Sequence, residues 1–197
     1  MPTPNLHPRA TAVLDFWFGA PGSPEHGTNR AEWFKKDDAF DLMIIEQHLG
    51  DYEEAAAGRH DDWAETALGS LALLILLDQF PRNMFRDDPK SFATDDKALQ
   101  IASAMVDRGD DKDFSKDEQF FVYLPFEHAE DIAMQERCLE LTAAMPKGKA
   151  ENSPYYWAKK HYDVIARFGR FPHRNKVLGR DNTEEENAYL NKPGAGF

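Results

Sequence analysis

The sequence predicts an all-α fold of about eight helices, in a single domain that covers residues 1–197. Helix-favouring residues, mainly alanine, leucine, glutamate, lysine and methionine, fill windows in which apolar side chains recur at helical spacing. The sequence has no runs that alternate polar and β-branched residues, the pattern typical of strands. Because the predicted connections are short, we expect antiparallel helical hairpins packed as an array or bundle.

The first three predicted helices precede residue 58. The first covers Arg9–Phe18, where valine and aromatic residues recur at helical intervals. Asn29 with Glu32 three residues later is typical of a capping box, so we predict a second helix that extends to about Leu49. A short third helix is predicted over Asp51–Ala57, and a glycine follows it.

The middle of the chain contains the most apolar segment. Residues 66–79 are apolar almost all round, which predicts a central helix that is buried on most sides. Phe80 precedes Pro81, and the residue before a proline is pushed out of the α region, so this helix is predicted to end near Gln79. Residues 94–108 form the next predicted helix, which ends at a glycine.

Two predicted helices follow in the next part of the chain. Ser115 and Glu118 form a second capping box that opens a short helix, and Pro125 is predicted to halt it. The next helix is predicted over residues 127–144, where apolar side chains again share one face.

The last two predicted helices lie between residue 153 and the end of the chain. Ser153 is a predicted N-cap, and the proline after it suits the first position of a helix that runs to Phe168. Thr183 and Glu186 form a third capping box, which predicts a short C-terminal helix.

Composition and charge limit the possible functions. The net charge of -12 would repel a polyanion, so broad nucleic-acid binding is disfavoured. The single cysteine, Cys138, cannot form an intramolecular disulfide and is predicted to be buried. The longest apolar run, Leu71–Leu77, has seven residues, whereas a membrane span needs about 20. Residues 1–19 lack the features of a signal peptide, so we expect a soluble, cytoplasmic protein without a membrane partner.

One short pattern occurs twice, as Phe-Pro-Arg-Asn at residues 80–83 and as Phe-Pro-His-Arg-Asn at residues 171–175. An arginine beside an asparagine supplies a planar cation and an amide, the groups that bind carboxylates or phosphates. The second copy lies in a basic island with no acid between Arg167 and Arg180. In an acidic chain, this island is the strongest indication of a binding site.

A second cluster, Glu127-His128-Ala129-Glu130-Asp131, is predicted to begin a helix. Acids at a helix N-terminus are stabilised by the helix dipole, and this alone can explain them. The other interpretation places Glu127, His128 and Glu130 in a cleft as acid, base or metal ligands. Since no HExxH or Glu-x-x-His pair accompanies them and nucleotide-binding fingerprints are missing, we predict neither a metal nor another cofactor.

The arginines also have a structural interpretation. Arg82 and Arg170 would then cap the C-terminal ends of their helices, and Arg174 would pair with Glu127 or Glu130. The binding interpretation adds an open position between the arginines for a phosphate or a carboxylate. The two interpretations are compatible.

These segments together resemble an uncharacterised family, domain of unknown function (DUF) 924. The resemblance spans nearly the whole chain and implies an all-helical, tetratricopeptide-like fold without an established activity. The residues that carry it are 14–19, 33–34, 76–83, 92–95, 125–131, 168–175 and 178–180, of which the last three blocks include both the Glu-His cluster and the second turn.

The leading hypothesis is binding of an anionic small molecule or a peptide carboxylate in one cleft, where both turns converge. Glu127, His128 and Glu130 are the candidate catalytic residues, or else they orient the arginines. The alternatives are a small hydrolase with Glu127 or His128 as general base, and a protein-interaction scaffold. The residues predicted to contact the ligand are Asp78, Arg82, Asn83, His161, Arg170, His173, Arg174 and Asn175.

Overall fold

The computed structural model describes residues 6–146 and 148–196. All regular secondary structure in these residues is helical, which confirms the predicted all-α class. The chain divides into two compact units, one formed by residues 6–86 and 90–125 and the other by residues 87–89, 126–146 and 148–196. The single-domain organisation stays a prediction. The signal-peptide prediction includes residues 1–5, which lie outside the described residues.

The described residues form nine α-helical segments. Because α3, a π turn and α4 are continuous, they amount to eight helices, as predicted. Helices α1 to α5 belong to the first unit, α6 begins in the first and ends in the second, and α7 to α9 belong to the second. Their bounds are α1 Pro8–Phe18, α2 Asp38–Ala56, α3 Ala67–Leu74, the π turn Ile75–Gln79, α4 Phe80–Met84, α5 Asp95–Arg108, α6 Lys116–His128, α7 Ile132–Ala143, α8 Pro154–Phe168 and α9 Glu184–Leu190.

The core of the first unit is built around α3, against which both α1 and α5 pack. Trp17 is fully buried there, and its ring lies 5.7 Å from that of Phe80 and 5.5 Å from that of Phe121. In the second unit α7 packs against α8, and Val164, Ile165 and Phe171 form a buried cluster.

None of the helices in the described ranges combines the length and apolar character that crossing a bilayer requires.

Several predicted helix ends are confirmed. The capping boxes at Ser115 and Thr183 both form. In the second, the backbone N–H of Glu186 donates a hydrogen bond to the Thr183 hydroxyl at 3.1 Å. The Ser153 hydroxyl caps α8, and left-handed glycines end α5 and α8. Cys138 is buried as predicted, and burial raises the pKa of its thiol well above the usual value.

The predicted capping box at Asn29 is wrong. This segment forms only a short 3₁₀ turn, Ala31–Trp33, whose Trp33 indole donates to the carbonyl of Trp17 at 3.1 Å. The segment therefore docks on the end of α1 instead of opening a helix. The true N-cap is Asp37, and α2 then continues to Ala56 without the break that was predicted before Asp51.

The helix end predicted at Phe80 is also wrong. The chain passes through the π turn and enters α4 with Phe80 in α geometry. In a regular α-helix residue 81 would donate its N–H to the carbonyl of Leu77, and Pro81 has none. The Thr94 hydroxyl donates to that carbonyl instead, at 2.5 Å. A side chain from the next helix thus supplies the bond that the proline removes.

Substitution of Thr94 by valine is expected to lower the free energy of unfolding by about 2 kcal/mol, because a buried carbonyl loses its hydroxyl donor. The added substitution Pro81→Ala restores an N–H near the Leu77 carbonyl, so the double variant should recover much of the loss. Urea unfolding of the two single variants and the double variant measures this coupling. Strictly additive effects would contradict the proposed replacement.

The boundary between α6 and α7 differs from the prediction. Pro125 lies inside α6, which continues to His128, so Glu127 and His128 end one helix and do not begin the next. Helix α7 begins after Asp131, whose carboxylate accepts the N–H of Ala133 at 2.8 Å. Stabilisation by a helix N-terminus therefore does not explain Glu127.

Candidate functional site

The predicted site residues are divided between the two units. Asp78, Arg82 and Asn83 belong to the first unit. The other eight belong to the second unit, namely Glu127, His128, Glu130, His161, Arg170, His173, Arg174 and Asn175. The convergence of the two turns in one cleft stays a prediction, and each turn is described within its own unit.

In the first unit, Arg82 is fixed by several groups. Its guanidinium donates to both carboxylate oxygens of Asp95 at 2.8 Å and to the carbonyl of Ser91, and it lies 4.6 Å from the centre of the Phe92 ring. Asp78, which is 1% exposed, lies 3.8 Å from the same guanidinium. These contacts hold α4 to the start of α5.

Asn83 contributes to a separate buried contact. Its amide nitrogen donates to Asp41 of α2 at 2.7 Å, and Arg86 donates to the same carboxylate. Burial alone would raise the pKa of Asp41, but the bonds from Arg86 and Asn83 lower it below its usual value. The arginine and the asparagine of the first turn therefore both fasten helices within their unit.

In the second unit, Arg170 is engaged by α9. It makes two bonds to Glu186, of 2.6 and 2.8 Å, and a third to the carbonyl of Asp181 at 2.8 Å. The bond from Arg170 lowers the pKa of Glu186 to about 2. This fork ties the end of α8 to the capping box of α9, as a structural role for Arg170 requires.

Glu130 fastens the second turn. It accepts two bonds from Arg180, of 2.6 and 2.9 Å, and the backbone N–H of Phe171 at 2.7 Å. The Asn175 side chain, which is fully buried, accepts from Arg180 at 2.9 Å and donates to Asn182 at 2.7 Å. Glu130 and Asn175 thus belong to one network that fixes the backbone of the turn.

Arg174 and His173 of the turn and His161 of α8 lie around the ring of Phe171. This ring is fully buried, and the Arg174 guanidinium lies over it at 4.5 Å from its centre. The His161 imidazole meets the ring edge-on at 5.6 Å, and that of His173 lies at 5.5 Å. Glu127 completes this group through its contact with His161. We call these five residues the Phe171 cluster.

The geometry of His161 defines its tautomer. Its Nδ1 lies 2.9 Å from the carbonyl oxygen of Trp157 and 3.1 Å from a carboxylate oxygen of Glu127. A carbonyl only accepts, so Nδ1 carries the hydrogen and Nε2 of the neutral ring carries the lone pair. Burial, together with the positive charge of Arg174 and the neighbouring histidines, lowers the pKa of His161 to about 3.

His173 has a similar environment. Burial and then the charge of Arg174 lower the pKa of its imidazole to about 4, although Glu130 acts in the opposite direction. His128, at the end of α6, lies close enough to lower the pKa values of both His161 and His173. Both imidazoles of the Phe171 cluster are therefore neutral at pH 7.

Sequence reasoning missed Gln135 of α7, which positions Glu127. The fully buried side-chain amide of Gln135 donates to the carbonyls of Phe126, Glu127 and Ala129 at 3.3, 2.6 and 2.8 Å. Phe126 and Glu127 lie in the last turn of α6 and Ala129 follows its end, where many backbone acceptors lack helical partners. The sequence did contain an indication of this role, because Gln135 lies three residues before Cys138 on the apolar face of α7, where a polar side chain needs a hydrogen-bond partner.

Within 6–146 and 148–196, no three histidine, cysteine, aspartate or glutamate side chains are arranged to hold a metal ion. Arg174 and neutral imidazoles instead offer hydrogen-bond donors and one delocalised charge, a set that suits an oxyanion.

The structure is that of an all-α protein whose second unit groups a buried arginine with two half-buried histidines. Residues 13–194 match a family described as bacterial protein of unknown function (DUF924). Since the match covers most of the sequence, the chain belongs to this family, which confirms the resemblance seen in the sequence.

A solved structure supports the same conclusion. A protein of unknown function from Agrobacterium tumefaciens is 42% identical to this chain, with a TM-score of 0.82, and the match covers 94% of this chain and 98% of that chain. No curated protein matches the sequence. The tetratricopeptide-like arrangement and the cytoplasmic location stay predictions.

Proposed function

We propose that the second unit binds a small anion, a phosphate or carboxylate group of a metabolite or peptide, at the Phe171 cluster. The observation that carries the proposal is the arrangement around the Phe171 ring, where Arg174 lies over the face and two imidazoles lie beside it. Arg170 and Asn175 make hydrogen bonds that fasten the turn, so they stand outside the proposed binding group. Participation of Asp78, Arg82 and Asn83 in the same site stays a prediction.

The electrostatics of the cluster support an anionic ligand. Arg174 is 7% exposed, so its charge is poorly screened by water, and it lowers the pKa values of both neighbouring histidines. The same positive potential that disfavours imidazolium favours an oxyanion. An anion bound beside His161 and His173 would raise their pKa values, so binding would be coupled to proton uptake.

The hydrolase alternative is less well supported by this geometry. The Glu127 and His161 pair resembles the carboxylate and imidazole of a general base. A base with a pKa of about 3 is weak at neutral pH, however, and catalysis favours a value near the working pH. Glu127 therefore fits the role of holding the His161 ring better than that of abstracting a proton.

The test is titration of the protein with sulfate, which remains a dianion from pH 8 to pH 4. We expect heat of binding in calorimetry and movement of the ring proton signals of His161 and His173 in NMR spectra. Affinity should rise once the pH falls below about 5, towards the pKa values of about 4 and about 3 of the free imidazoles, because the bound anion favours their protonated form. The substitution Arg174→Met should weaken binding by about tenfold or more, the loss expected for a charge-assisted contact.

Arg167→Met is the matched control. Arg167 lies at the end of α8 and its guanidinium binds the exposed Glu185, so binding should change less than about twofold. If sulfate, phosphate and acetate all leave the histidine signals of the wild-type protein unmoved, the proposal is wrong. Turnover of activated esters that disappears in Glu127→Gln would favour the hydrolase instead.

A further inference from the structure

The C-terminal segment lies against the Phe171 cluster. A Cβ placed on Gly196 would lie 3.1 Å from Cβ of His173, 3.5 Å from its Cγ and 3.9 Å from its Nδ1. These separations place Gly196 next to the side chain of His173, with room for a hydrogen atom but not for a methyl group between them. A side chain at this position would make an unusually tight contact with His173, and one of the two would have to shift.

The path of the chain after α9 explains how the segment reaches His173. Helix α9 packs against the 3₁₀ turn Pro172–Arg174, and the rings of Tyr189 and Phe168 lie 5.2 Å apart. Beyond the helix, the N–H of Ala195 donates to the carbonyl of Lys192 at 3.2 Å, which turns the chain.

Two glycines make the turn possible. Gly194 and Gly196 have φ values of +75° and +101°, which residues with side chains rarely adopt. Residues 191–194 are exposed, and residues 195 and 196 are only half-buried. A segment with so few buried contacts opens locally at a low free-energy cost. It can therefore cover the imidazole and still move away.

We propose that residues 193–196 form a strap that covers the His173 side of the cluster and controls access to it. This inference rests on the proposed anion site, because the strap would regulate the binding of an anion there. With the strap closed, Gly196 occupies space next to the imidazole. Opening the strap exposes His173 to a ligand from solution, so the strap and the ligand compete for this face of the ring.

The test compares Gly196→Ala with Gly194→Ala in the full chain. Both changes place a methyl group at a positive φ, but only at residue 196 does that methyl meet His173, since no atom of the described residues lies within 4 Å of the Cβ position at Gly194. The probe is the rate at which diethyl pyrocarbonate modifies His173 at pH 7. Trypsin releases His173 as the only histidine in residues 171–174 and His161 as the only histidine in residues 161–167, so the second peptide is an internal reference.

We expect Gly196→Ala to speed modification of His173 about fivefold relative to His161 and to tighten sulfate binding, because the strap no longer competes. Gly194→Ala should have a smaller effect on both. Equal effects of the two changes, or an unchanged rate in Gly196→Ala, would overturn the strap. If sulfate does not bind but Gly196→Ala still accelerates modification, the strap stands and the anion site fails.

Discussion

Substitution of Gln135 by leucine is expected to lower the free energy of unfolding by about 3 kcal/mol. Leucine has a similar volume but cannot donate, so the carbonyls of Phe126, Glu127 and Ala129 lose the amide that they share. The carbonyls of Glu127 and Ala129 lie at and just beyond the end of α6, where backbone acceptors lack helical partners. That of Phe126 also accepts the N–H of Ala129 at 3.4 Å. The loss should be measured by urea unfolding with both circular dichroism and fluorescence.

The control is Glu136→Leu, which places the same side chain one residue further along α7, where the position is exposed. Its effect should lie within about 0.5 kcal/mol of zero. A loss below about 1 kcal/mol in Gln135→Leu would mean that water replaces the amide. The end of α6 would then not depend on Gln135 for its position.

Local sequence rules predicted most helices because their determinants lie within one or two turns. Hydroxyl caps, capping boxes and terminal glycines act over three or four residues, and those at Ser115, Ser153 and Thr183 formed as predicted. The errors at Pro81 and Pro125 have a different origin. At Pro81 the missing backbone donor is replaced by Thr94, and that replacement depends on how helices pack.

In the candidate site, too, the local sequence predicted which residues need partners but not which distant residues are those partners. The sequence identified Arg170 and Glu130 as residues that need partners, since charged groups near a core must be paired. It could not identify those partners, because Glu186 is 16 residues from Arg170 and Arg180 is 50 residues from Glu130. Only the positions of α8, α9 and the second turn decide which charges meet.

Glu130→Ala is expected to lower the free energy of unfolding by about 3 kcal/mol. The carboxylate accepts two bonds from Arg180 and the N–H of Phe171, so its removal leaves a cation and a backbone donor without their main acceptor. Glu130→Gln keeps one acceptor oxygen and should lose only about 1 kcal/mol. Glu185→Ala, which removes an exposed carboxylate paired with Arg167, should change stability by less than about 0.5 kcal/mol.

The pH dependence separates this structural role from a catalytic one. Burial would raise the pKa of Glu130, but the bonds from Arg180 and Phe171 lower it below the ordinary value of 4.5. The stabilisation is therefore complete above pH 4.5 and is lost as the pH falls further, so the difference between wild type and Glu130→Gln should shrink between pH 5 and pH 3. If Glu130 served catalysis and did not stabilise the fold, Glu130→Ala and Glu130→Gln would have wild-type stability at every pH. That result would support Glu130 as a catalytic residue.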